Sequence, residues 1–516
     1  TADLAFRMDG ERRDLERALA LASGIVVDAT ASKARLAPGD TVTVELSLWN
    51  GGAQPVTVAS LEPELPRGWS SAAVQPAADA AVAPGALLVR RFRVRVPADA
   101  ELTIPYFLRQ PRDGDLYRWP ERDAALGRPF EAAPVLAVAH LRVGGAEIAV
   151  PQEASFREVD PRQGEIRRPV MVVPAVSVLL SPRTRVLSTS QPRPLSYVVR
   201  MAAEAEGGAR GTLRLVVPAG WRAEPAAVPV AFTAPGEVRE VRFAVTAPAN
   251  APAGDVAVSA VFEAEGGARF ARGVQMIDYP HVRARPLYHA AESRVRAFDL
   301  RVPAGLRVAY IEGAGEEGPA FLENLGITPT LLTADDLAEG DLSRFDVIIA
   351  GSRAYEVRPD LGTHNERLLD WMVAGGTMIV QYNKYEIVEG EFTPAPITMA
   401  RPHGRVTDEN AAVRILQPEN RVFTIPNRIG PADFEGWVQE RGLYFAQTWD
   451  PFYTPLLEMG DPGESLQGGL LIGHPGKGTY VYTGLAFFRQ FPEGVPGAYR
   501  LFANLLAFGS NDPAGR

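Results

Sequence analysis

Five polar or aromatic side chains stand just beyond predicted strands in the C-terminal part of the chain. Arg353 and Tyr355 follow one apolar run, Tyr382 and Asn383 follow the next, and Asp450 follows a later one. Open parallel sheets bind ligands beyond the carboxyl ends of their strands, so these side chains are candidates to bind a sugar through hydrogen bonds and stacking. They could equally fasten the adjoining irregular tract onto the sheet. No residue is assigned a catalytic or metal-binding role.

Ser352 gives an alternative hypothesis, an independent hydrolase with its site in the cleft of the same domain. It occupies the loop where hydrolases with this architecture carry their nucleophile. The G-x-S-x-G pattern is not formed, and an activating imidazole would have to come from His403 or His474, which lie in irregular segments. The simpler interpretation is that the serine only shapes the turn.

The segment Gly313 to Gly318 satisfies the G-x-G-x-x-G pattern of dinucleotide sites, and Asp335 stands about where a ribose-binding acid would. Glu316 and Glu317 argue against a nucleotide. They would place two carboxylates where a pyrophosphate must bind, and like charges repel. We therefore expect no cofactor.

Composition excludes several classes of function. The 516-residue chain has no cysteine, so disulfides and a cysteine nucleophile are excluded. Its six histidines are dispersed and lack the spacing of a metal site. A net charge of -9 with scattered arginines gives no basic patch for nucleic acid. No apolar run is long enough to predict a transmembrane segment.

Apolar runs alternating with amphipathic patterns predict an open, mostly parallel α/β domain over residues 304–512. The domain resembles those of flavodoxin or amidotransferase-like type. Residues 385–442 are too long and too rich in proline and charge for a plain connection, so they are predicted to be an insertion in this domain.

Strict alternation of apolar and polar residues predicts two antiparallel β-sandwiches of Ig-like type before that domain, at residues 24–168 and 169–285. Residues 1–23 have helical spacing and are predicted to be the tail of an upstream domain. Residues 286–303 are predicted to be a linker. The fold class is thus two sandwiches followed by an α/β domain.

The two sandwiches repeat one another in sequence. Trp69 follows a glycine and precedes a Pro-Gly turn, and Trp221 stands in the same relation to the second copy. Either tryptophan could stack on a glycan. A residue that recurs in both copies is more readily explained by the fold than by a ligand, so we favour packing against the end of each sandwich.

Several segments resemble the C-terminal region of large bacterial LmbE-like (PIG-L-type) deacetylase proteins. They include GSRAYEVRPDL, NERLLDWMVAGGTMIVQYNKYE and GLYFAQTWDPFYTPLLEMGDPGE, and the opening DLERALALASGIVVDATASKARLAPGDTVTVELSLWN is similar to the segment after the catalytic domain in that family. The α/β domain is similar to the class I glutamine amidotransferase fold, whose nucleophile is a cysteine. This chain has none, and it also lacks the family's His-Pro-Asp-Asp metal signature; His474-Pro475-Gly476 has neither aspartate.

The resemblance implies a non-catalytic accessory region of a zinc-dependent N-acetyl-sugar deacetylase. An upstream deacetylase domain would be its partner, and a carbohydrate or glycolipid its ligand. An extracytoplasmic location, periplasmic or secreted, is expected. No nucleic-acid partner is expected.

Overall fold

The computed structural model of the chain describes residues 2–75, 80–119, 127, 129–314 and 319–510. Strand residues make up 41 % of the chain and helical residues 17 %, so the molecule is mostly β and rich in β-sandwiches. Its hydrophobic residues form separate core clusters, one in each sandwich and two on the sheet of the C-terminal domain.

The first sandwich packs a six-stranded sheet of order β11-β10-β1-β3-β7-β5 over a four-stranded sheet of order β6-β4-β8-β9. The burial pattern of strand β3 explains why this sheet packs on one face only. Val42, Val44, Leu46 and Leu48 are buried, while the residues between them face outward, which is the two-residue period of a half-buried strand. The strands are β1 (Ile25–Ala31), β2 (Arg35–Leu36), β3 (Thr41–Asn50), β4 (Val56–Glu64), β5 (Ser70–Ala73), β6 (Ala80–Val82), β7 (Leu87–Arg95), β8 (Leu136–Val143), β9 (Ala146–Glu153), β10 (Ser155–Asp160) and β11 (Gly164–Pro169).

Helix α1 (Ala2–Ala22) precedes this sandwich and ends at Gly24, whose φ is +72°. Ala20 is 2 % exposed and belongs to the core of the sandwich. Leu4, Leu15 and Leu21 are exposed. A one-turn 3-10 helix at Tyr106–Leu108 lies in the irregular tract before β8.

The second sandwich packs β13-β15-β19-β17 over β14-β24-β20-β16-β18, and β21 pairs with β20. Strands β22 and β23 form a hairpin, and β12 pairs with β2 of the first sandwich. The strands are β12 (Met171–Val172), β13 (Val176–Ser181), β14 (Thr184–Ser188), β15 (Leu195–Ala203), β16 (Ala209–Val216), β17 (Arg222–Glu224), β18 (Val228–Phe232), β19 (Val238–Thr246), β20 (Gly254–Ala264), β21 (Arg269–Phe270), β22 (Arg272–Ile277), β23 (Arg285–Ala290) and β24 (Glu292–Phe298).

The sequence repeat corresponds to a repeat of local geometry. Gly68 and Gly220 have φ of +87° and +82°, and a Cβ added to either would lie 3.9 Å from the Cγ of a proline, Pro97 or Pro248. The tryptophans that come next in each copy are half-buried against the core of their own sandwich. Their packing agrees with the interpretation that they serve the fold.

Residues 286–303 do not form a plain linker. Strand β24 falls inside this range and pairs with both β14 and β20, because its alternating residues bury Ser293, Val295 and Ala297 in the second sandwich. The chain then continues through Leu300 into the core cluster of the C-terminal domain.

The C-terminal domain is built on a seven-stranded sheet of order β26-β25-β27-β28-β35-β34-β32. Strands β26 to β35 in this order pair in parallel, and β34 and β32 are antiparallel. The strands are β25 (Val308–Ile311), β26 (Thr330–Leu331), β27 (Val347–Ala350), β28 (Thr377–Val380), β29 (Ile397–Val406), β30 (Arg414–Ile415), β31 (Gly442–Trp449), β32 (Thr454–Pro455), β33 (Leu457–Glu458), β34 (Leu470–Gly473) and β35 (Thr479–Thr483).

The helices of this domain are short. They are α2 (Ala320–Asn324), α3 (Ala334–Glu339), α4 (Ala354–Val357), α5 (Pro359–Thr363), α6 (Asn365–Val373), α7 (Glu386–Glu389), α8 (Arg421–Thr424), α9 (Phe487–Gln490) and α10 (Pro496–Leu506), with 3-10 helices at Leu342–Arg344, Pro431–Phe434 and Ala507–Gly509. The predicted flavodoxin or amidotransferase-like α/β class is therefore wrong. Strands dominate the chain, and beside its main sheet the domain holds two further two-stranded sheets, β29-β31 and β30-β33.

Residues 385–442 fold back onto this sheet. Strand β29 lies in this tract and pairs antiparallel with β31, which comes later in the chain, through a register broken between Met399 and Gly404. A broken register of this kind lets part of one strand bend away from its partner. The tract thereby covers the loops at the carboxyl ends of the parallel strands.

Candidate functional site at the strand ends

The loops after β27 and β28 are fastened together at the carboxyl edge of the sheet. Arg353 has a left-handed backbone, with φ of 59°, and its N–H donates to the carbonyl of Tyr382 at 2.9 Å. On the other side, the N–H of Ala314 donates to the carbonyl of Ser352 at 2.9 Å, and a Cβ at Gly313 would meet the same oxygen at 1.9 Å. The close approach of these backbones fixes the base of the site.

Asn383 and Tyr355 serve this framework. Asn383 is fully buried; its Oδ1 accepts from the N–H of Tyr355 at 2.9 Å, and its Nδ2 donates to the carbonyl of Gln381 at 2.9 Å. The hydroxyl of Tyr355 donates to Oδ1 of Asn365 at 2.7 Å, and its ring stacks on Phe392. Burial raises the pKa of Tyr355. These two predicted ligand-binding residues therefore hold the loops together from inside.

Above the framework lies a group of five rings that we call the aromatic shelf. Its members are Tyr382, Tyr385, His403, Tyr444 and Phe488. Tyr382 lies 6.0 Å from Tyr444 and 5.2 Å from Phe488 between ring centroids, and Tyr385 packs edge-on to Tyr444 at 5.4 Å. All but Tyr382 are half-buried, so four rings keep a face or edge toward solvent.

Tyr444 is the centre of the shelf and is held in a strained backbone conformation. Its φ is 54°, a region that residues with side chains rarely adopt. Its carbonyl accepts a hydrogen bond from the hydroxyl of Tyr482 at 2.6 Å. A conformation of this kind persists only where the surroundings over-determine it, and such positions cluster at ligand sites.

His403 stacks on Tyr444 with ring centroids 3.9 Å apart and planes within 3° of parallel. Its Nε2 is buried without a hydrogen-bond partner among the described residues. Burial, and then the positive charge of Arg405, lower the pKa of His403. Both effects favour the neutral form of the imidazole, and the ring forms part of the aromatic surface.

Paired charges border the shelf on two sides. Arg353 contacts both oxygens of Glu356 at 2.6 and 2.7 Å, and Nζ of Lys384 lies 3.0 Å from the same carboxylate. The hydrogen bonds from Arg353 are the main cause that lowers the pKa of Glu356 to about 2. On the other side, Glu440 is 1 % exposed and bridges Arg405 and Arg489 at 2.8 and 2.5 Å. The rim therefore offers both donors and acceptors in fixed positions.

Asp450 lies away from this group. It comes directly after the last residue of β31, whereas Tyr444 stands near the first, and six residues of strand span roughly 20 Å. Its Oδ1 accepts from the N–H of Phe452 at 2.8 Å, so the carboxylate closes a turn. Asp450 thus stands at the opposite end of β31 from Tyr444, and its role in binding a ligand stays a prediction.

A cleft of about 1550 Å³ separates the second sandwich from the C-terminal domain and borders the shelf at Phe488. Ser196, Val198 and Arg242 line it on the side of the sandwich, and Gln381 lines it on the other. This volume exceeds the roughly 300–1,000 Å³ of ordinary small-molecule pockets. It can accept a ligand larger than one ring.

Ser352 is 2 % exposed, and its hydroxyl has no hydrogen-bond partner within the described ranges. A serine nucleophile needs a base in hydrogen-bond contact. His403 stacks in the shelf instead, and Nδ1 of His474 contacts the hydroxyl of Thr479 at 3.3 Å. The hydrolase alternative thus has no relay in the described part of the chain.

Metal and nucleotide sites have little support. Among the residues that the structure describes, no group of three or more histidine or acidic side chains could hold a metal ion. Of the G-x-G-x-x-G segment, residues 315–318 lie outside the described residues. Gly313 packs against the loop of Ser352, which leaves its backbone no room to approach a pyrophosphate on that side.

Sequence reasoning missed the shelf residues Tyr385, Tyr444 and Phe488, and it considered His403 only as a base. Tyr444 begins a strand and His403 lies in the tract 385–442, about 40 residues earlier along the chain. Only the pairing of β29 with β31 brings them together. The alternation within LYFAQTW could have indicated that Tyr444 and Phe445 lie on opposite faces.

Two segments of the chain match a known family. Residues 36–106 and 198–264 each match the model of the NPCBM-associated, NEW3 domain of alpha-galactosidase. The first segment includes β3 and β7 and the second β15 and β19, so the match falls on the repeated strands. Together they cover well under half of the chain. No curated protein matches the chain significantly in sequence.

Solved structures show only distant likeness. A beta-galactosidase from Rahnella sp. R3 is 18 % identical over 38 % of this chain and 30 % of its own, with a TM-score of 0.24. E. coli alpha-2-macroglobulin is 14 % identical over 53 % of this chain and 17 % of its own, with a TM-score of 0.19. The secreted serine protease VesC from Vibrio cholerae is 9 % identical over 43 % of this chain and 46 % of its own, with a TM-score of 0.15. This chain thus spans less than half the length of each.

The match to a domain of alpha-galactosidase overturns the expected LmbE-like identity. The deacetylase partner and the amidotransferase relationship are likewise unsupported. The resembling segments lack the His-Pro-Asp-Asp signature of the deacetylase. No described helix is long and apolar enough to cross a membrane. The family model matches strands of both β-sandwiches.

Proposed function

We propose that this chain is a non-catalytic, carbohydrate-associated accessory region that binds a glycan on the aromatic shelf. The observation that carries the proposal is the geometry of Tyr444, held at a left-handed backbone with His403 stacked on one side. The C–H face of a sugar ring packs on such rings, while its hydroxyls need nearby polar groups. Two segments of the chain match a domain of alpha-galactosidase, which supports the choice of ligand class.

The charged rim would select the ligand by its hydroxyls. Glu356 stays ionised over the physiological range because its pKa is lowered to about 2. It can accept hydrogen bonds, and Arg353 and Lys384 can donate them without moving far from their ion pairs. Of the five predicted binding residues, Arg353 fits direct contact with a sugar, Tyr382 fits packing beneath the exposed rings of the shelf, and Tyr355 and Asn383 fit support. The neighbouring cleft would receive the rest of an oligosaccharide.

The experiment is isothermal titration of the folded chain with galactose-containing oligosaccharides chosen from a glycan array. Tyr444→Ala should weaken binding about tenfold, the loss that corresponds to ~1.4 kcal/mol. Tyr279→Ala is the matched control, because Tyr279 is 59 % exposed and lies outside the shelf. An array that stays blank with the folded wild-type chain contradicts the proposal, as does equal binding by Tyr444→Ala.

We infer further that such a region works outside the cytoplasm, where polymeric glycans are met. This inference about location rests only on the proposal that the ligand is a glycan. Fractionation of cells that express the natural gene, followed by detection with an antibody against this chain, tests it. Signal confined to the cytoplasmic fraction contradicts the inference.

A further inference from the structure

The outer face of the first sandwich carries an exposed tryptophan that the strand-end site does not use. Trp49 is 47 % exposed and stands in one row with Val26 on β1 and Leu87 on β7. Those neighbours are 47 % and 60 % exposed, and Val89 extends the apolar area. A contiguous exposed apolar patch on a sheet face marks a contact surface.

The ring of Trp49 is held in place by the backbone beside it. A Cβ atom at Gly51 would lie 2.5 Å from Cη2 and 2.6 Å from Cζ3 of the ring. The indole therefore rests directly on the glycine, and any side chain there would displace it. A planar ring in a fixed position is the feature that stacking on a sugar requires.

The internal repeat provides a control on this tryptophan. Trp49 pairs with Leu87, two residues after Gly85, and in the second copy Ala202 pairs with Val238, two residues after Gly236. The position of Trp49 is thus filled by alanine in the other copy. Trp69 and Trp221 recur and pack inward, whereas Trp49 does neither, so the fold does not require it.

The same face becomes basic toward its other end. Along β7 the outward residues after Val89 are Arg91, Arg93 and Arg95, all exposed. Arg91 is paired with Glu45 at 2.7 Å, but Arg93 and Arg95 have no ion-pair partner in the described ranges. Six strand residues separate the row of Trp49 from that of Arg93, a distance of roughly 20 Å.

We propose that this face, which we call the Trp49 face, binds an extended polysaccharide that carries carboxylate or sulfate groups. One sugar ring stacks on Trp49, and anionic groups further along the polymer reach Arg93 and Arg95. A ligand must span roughly 20 Å to touch both, which excludes a monosaccharide. The inference rests on the proposed function for its ligand class and adds a second contact surface that differs in charge from the shelf.

The test is affinity electrophoresis of the full chain in gels that contain polygalacturonate, dextran sulfate or neutral dextran. Trp49→Ala should bind the anionic polymers about tenfold more weakly. Arg93→Gln with Arg95→Gln should abolish the dependence of that binding on salt, since screening acts on the unpaired charges. The two anionic gels distinguish a carboxylated from a sulfated ligand.

Trp119→Ala is the matched control, because Trp119 is 50 % exposed but lies in the irregular tract before β8. The inference fails if Trp119→Ala weakens binding as much as Trp49→Ala, if neither anionic polymer retards the wild-type chain, or if vesicles of anionic phospholipid bind in their place. Each variant is first shown to unfold at the wild-type temperature.

Comparison with Tyr444→Ala separates this inference from the proposed function. If Tyr444→Ala loses the galactose-containing oligosaccharides while Trp49→Ala binds anionic polymers normally, the shelf stands and the Trp49 face is rejected. If Trp49→Ala weakens binding to the polymers while Tyr444→Ala binds the galactose-containing oligosaccharides as the wild type does, the Trp49 face stands and the shelf is rejected.

Discussion

The two sandwiches carry the same pair of strands, but these strands face different surroundings. In the first, β3 and β7 present Trp49, Glu45 and Arg91 to solvent. In the second, the equivalent strands β15 and β19 present Val198 and Arg242 to the cleft against the C-terminal domain. This face of the second sandwich thus lines the cleft against the C-terminal domain, whereas the same face of the first sandwich is exposed to solvent.

The difference between the copies separates structural from functional residues within a single chain. Features that both copies share, such as a tryptophan after a positive-φ glycine, are needed by the sandwich itself. Features that only one copy has reflect its surroundings. In the second copy those surroundings are a neighbouring domain, and in the first they are proposed to be a ligand.

The largest effect is expected where the second sandwich is joined to the C-terminal domain. Arg185 is 7 % exposed; its Nε donates to the carbonyl of Ser196 at 3.1 Å, and its Nη1 lies 3.3 Å from Glu323. Arg185→Ala should lower the free energy of unfolding by about 3 kcal/mol, because the side chain is buried and its charge-assisted hydrogen bonds to Ser196 and its contact with Glu323 are lost. Urea denaturation measures this. Arg183→Ala, an exposed neighbour, should change little, and equal effects would show that the junction is not held by Arg185.

Next in size are the repeated tryptophans. Trp221→Ala and Trp69→Ala should each cost about 2 kcal/mol, less than for a fully buried aromatic because both rings are half-buried. Trp49→Ala should cost less than about 0.5 kcal/mol, as exposed positions usually do. Calorimetry of the three variants tests whether the repeated tryptophans stabilise the fold and Trp49 does not. This distinction is contradicted if Trp49→Ala is as destabilising as the other two substitutions.

A smaller effect concerns the joint between the sandwiches, where Arg35 of the first contacts Glu204 of the second at 3.0 Å. Burial is the main cause that raises the pKa of Glu204 above its ordinary value, and Arg35 opposes it. The stability that comes from neutral Glu204 is present at low pH and is lost as pH rises from about 4.3, the unfolded value, through the folded pKa. Glu204→Gln should therefore gain stability relative to the wild type at pH 7, by less than about 1 kcal/mol, and gain nothing near pH 4. Thermal melts at both values measure it, and a loss at pH 7 would contradict the sign.

The smallest effect is expected from making the second copy resemble the first. Arg200 and Glu240 form an exposed pair at 3.7 Å, and the equivalent positions of the first sandwich hold Ser47 and Val89. The double change Arg200→Ser with Glu240→Val should alter the free energy of unfolding by no more than about 0.5 kcal/mol. Urea denaturation of the double variant is the measurement. A larger loss would mean that the two copies differ in this face for reasons of stability.

Local patterns predicted the features that local physics controls. The two-residue period of TVTVELSLWN fixes which side of β3 is buried, and the recurrence of Trp69 and Trp221 identified the repeat without any alignment. The apolar runs ending at Ile311, Ala350 and Val380 do pair in parallel. The class assigned to the domain was nevertheless wrong, because apolar runs do not reveal how many short strands occupy the place of helices.

The candidate site was harder to predict because its parts meet through pairing at long range. Arg353 and Tyr382 were found from their places after strands, since a parallel sheet collects those ends at one edge. Tyr444 and His403 depend on the interrupted register of β29 with β31, and no local period encodes where a register breaks. Asp450 stands at the opposite end of β31 from Tyr444, a separation that its place after a predicted strand did not reveal.

The core that joins the second sandwich to the C-terminal domain reaches beyond the site. Val186 and Phe298 of the sandwich, Leu300 after it, and Tyr310 and Phe502 of the C-terminal domain belong to a single hydrophobic core. Genetic recombination that exchanged the C-terminal domain alone would therefore cut through a packed interior. An exchange that keeps this interior whole must move the second sandwich and the C-terminal domain together.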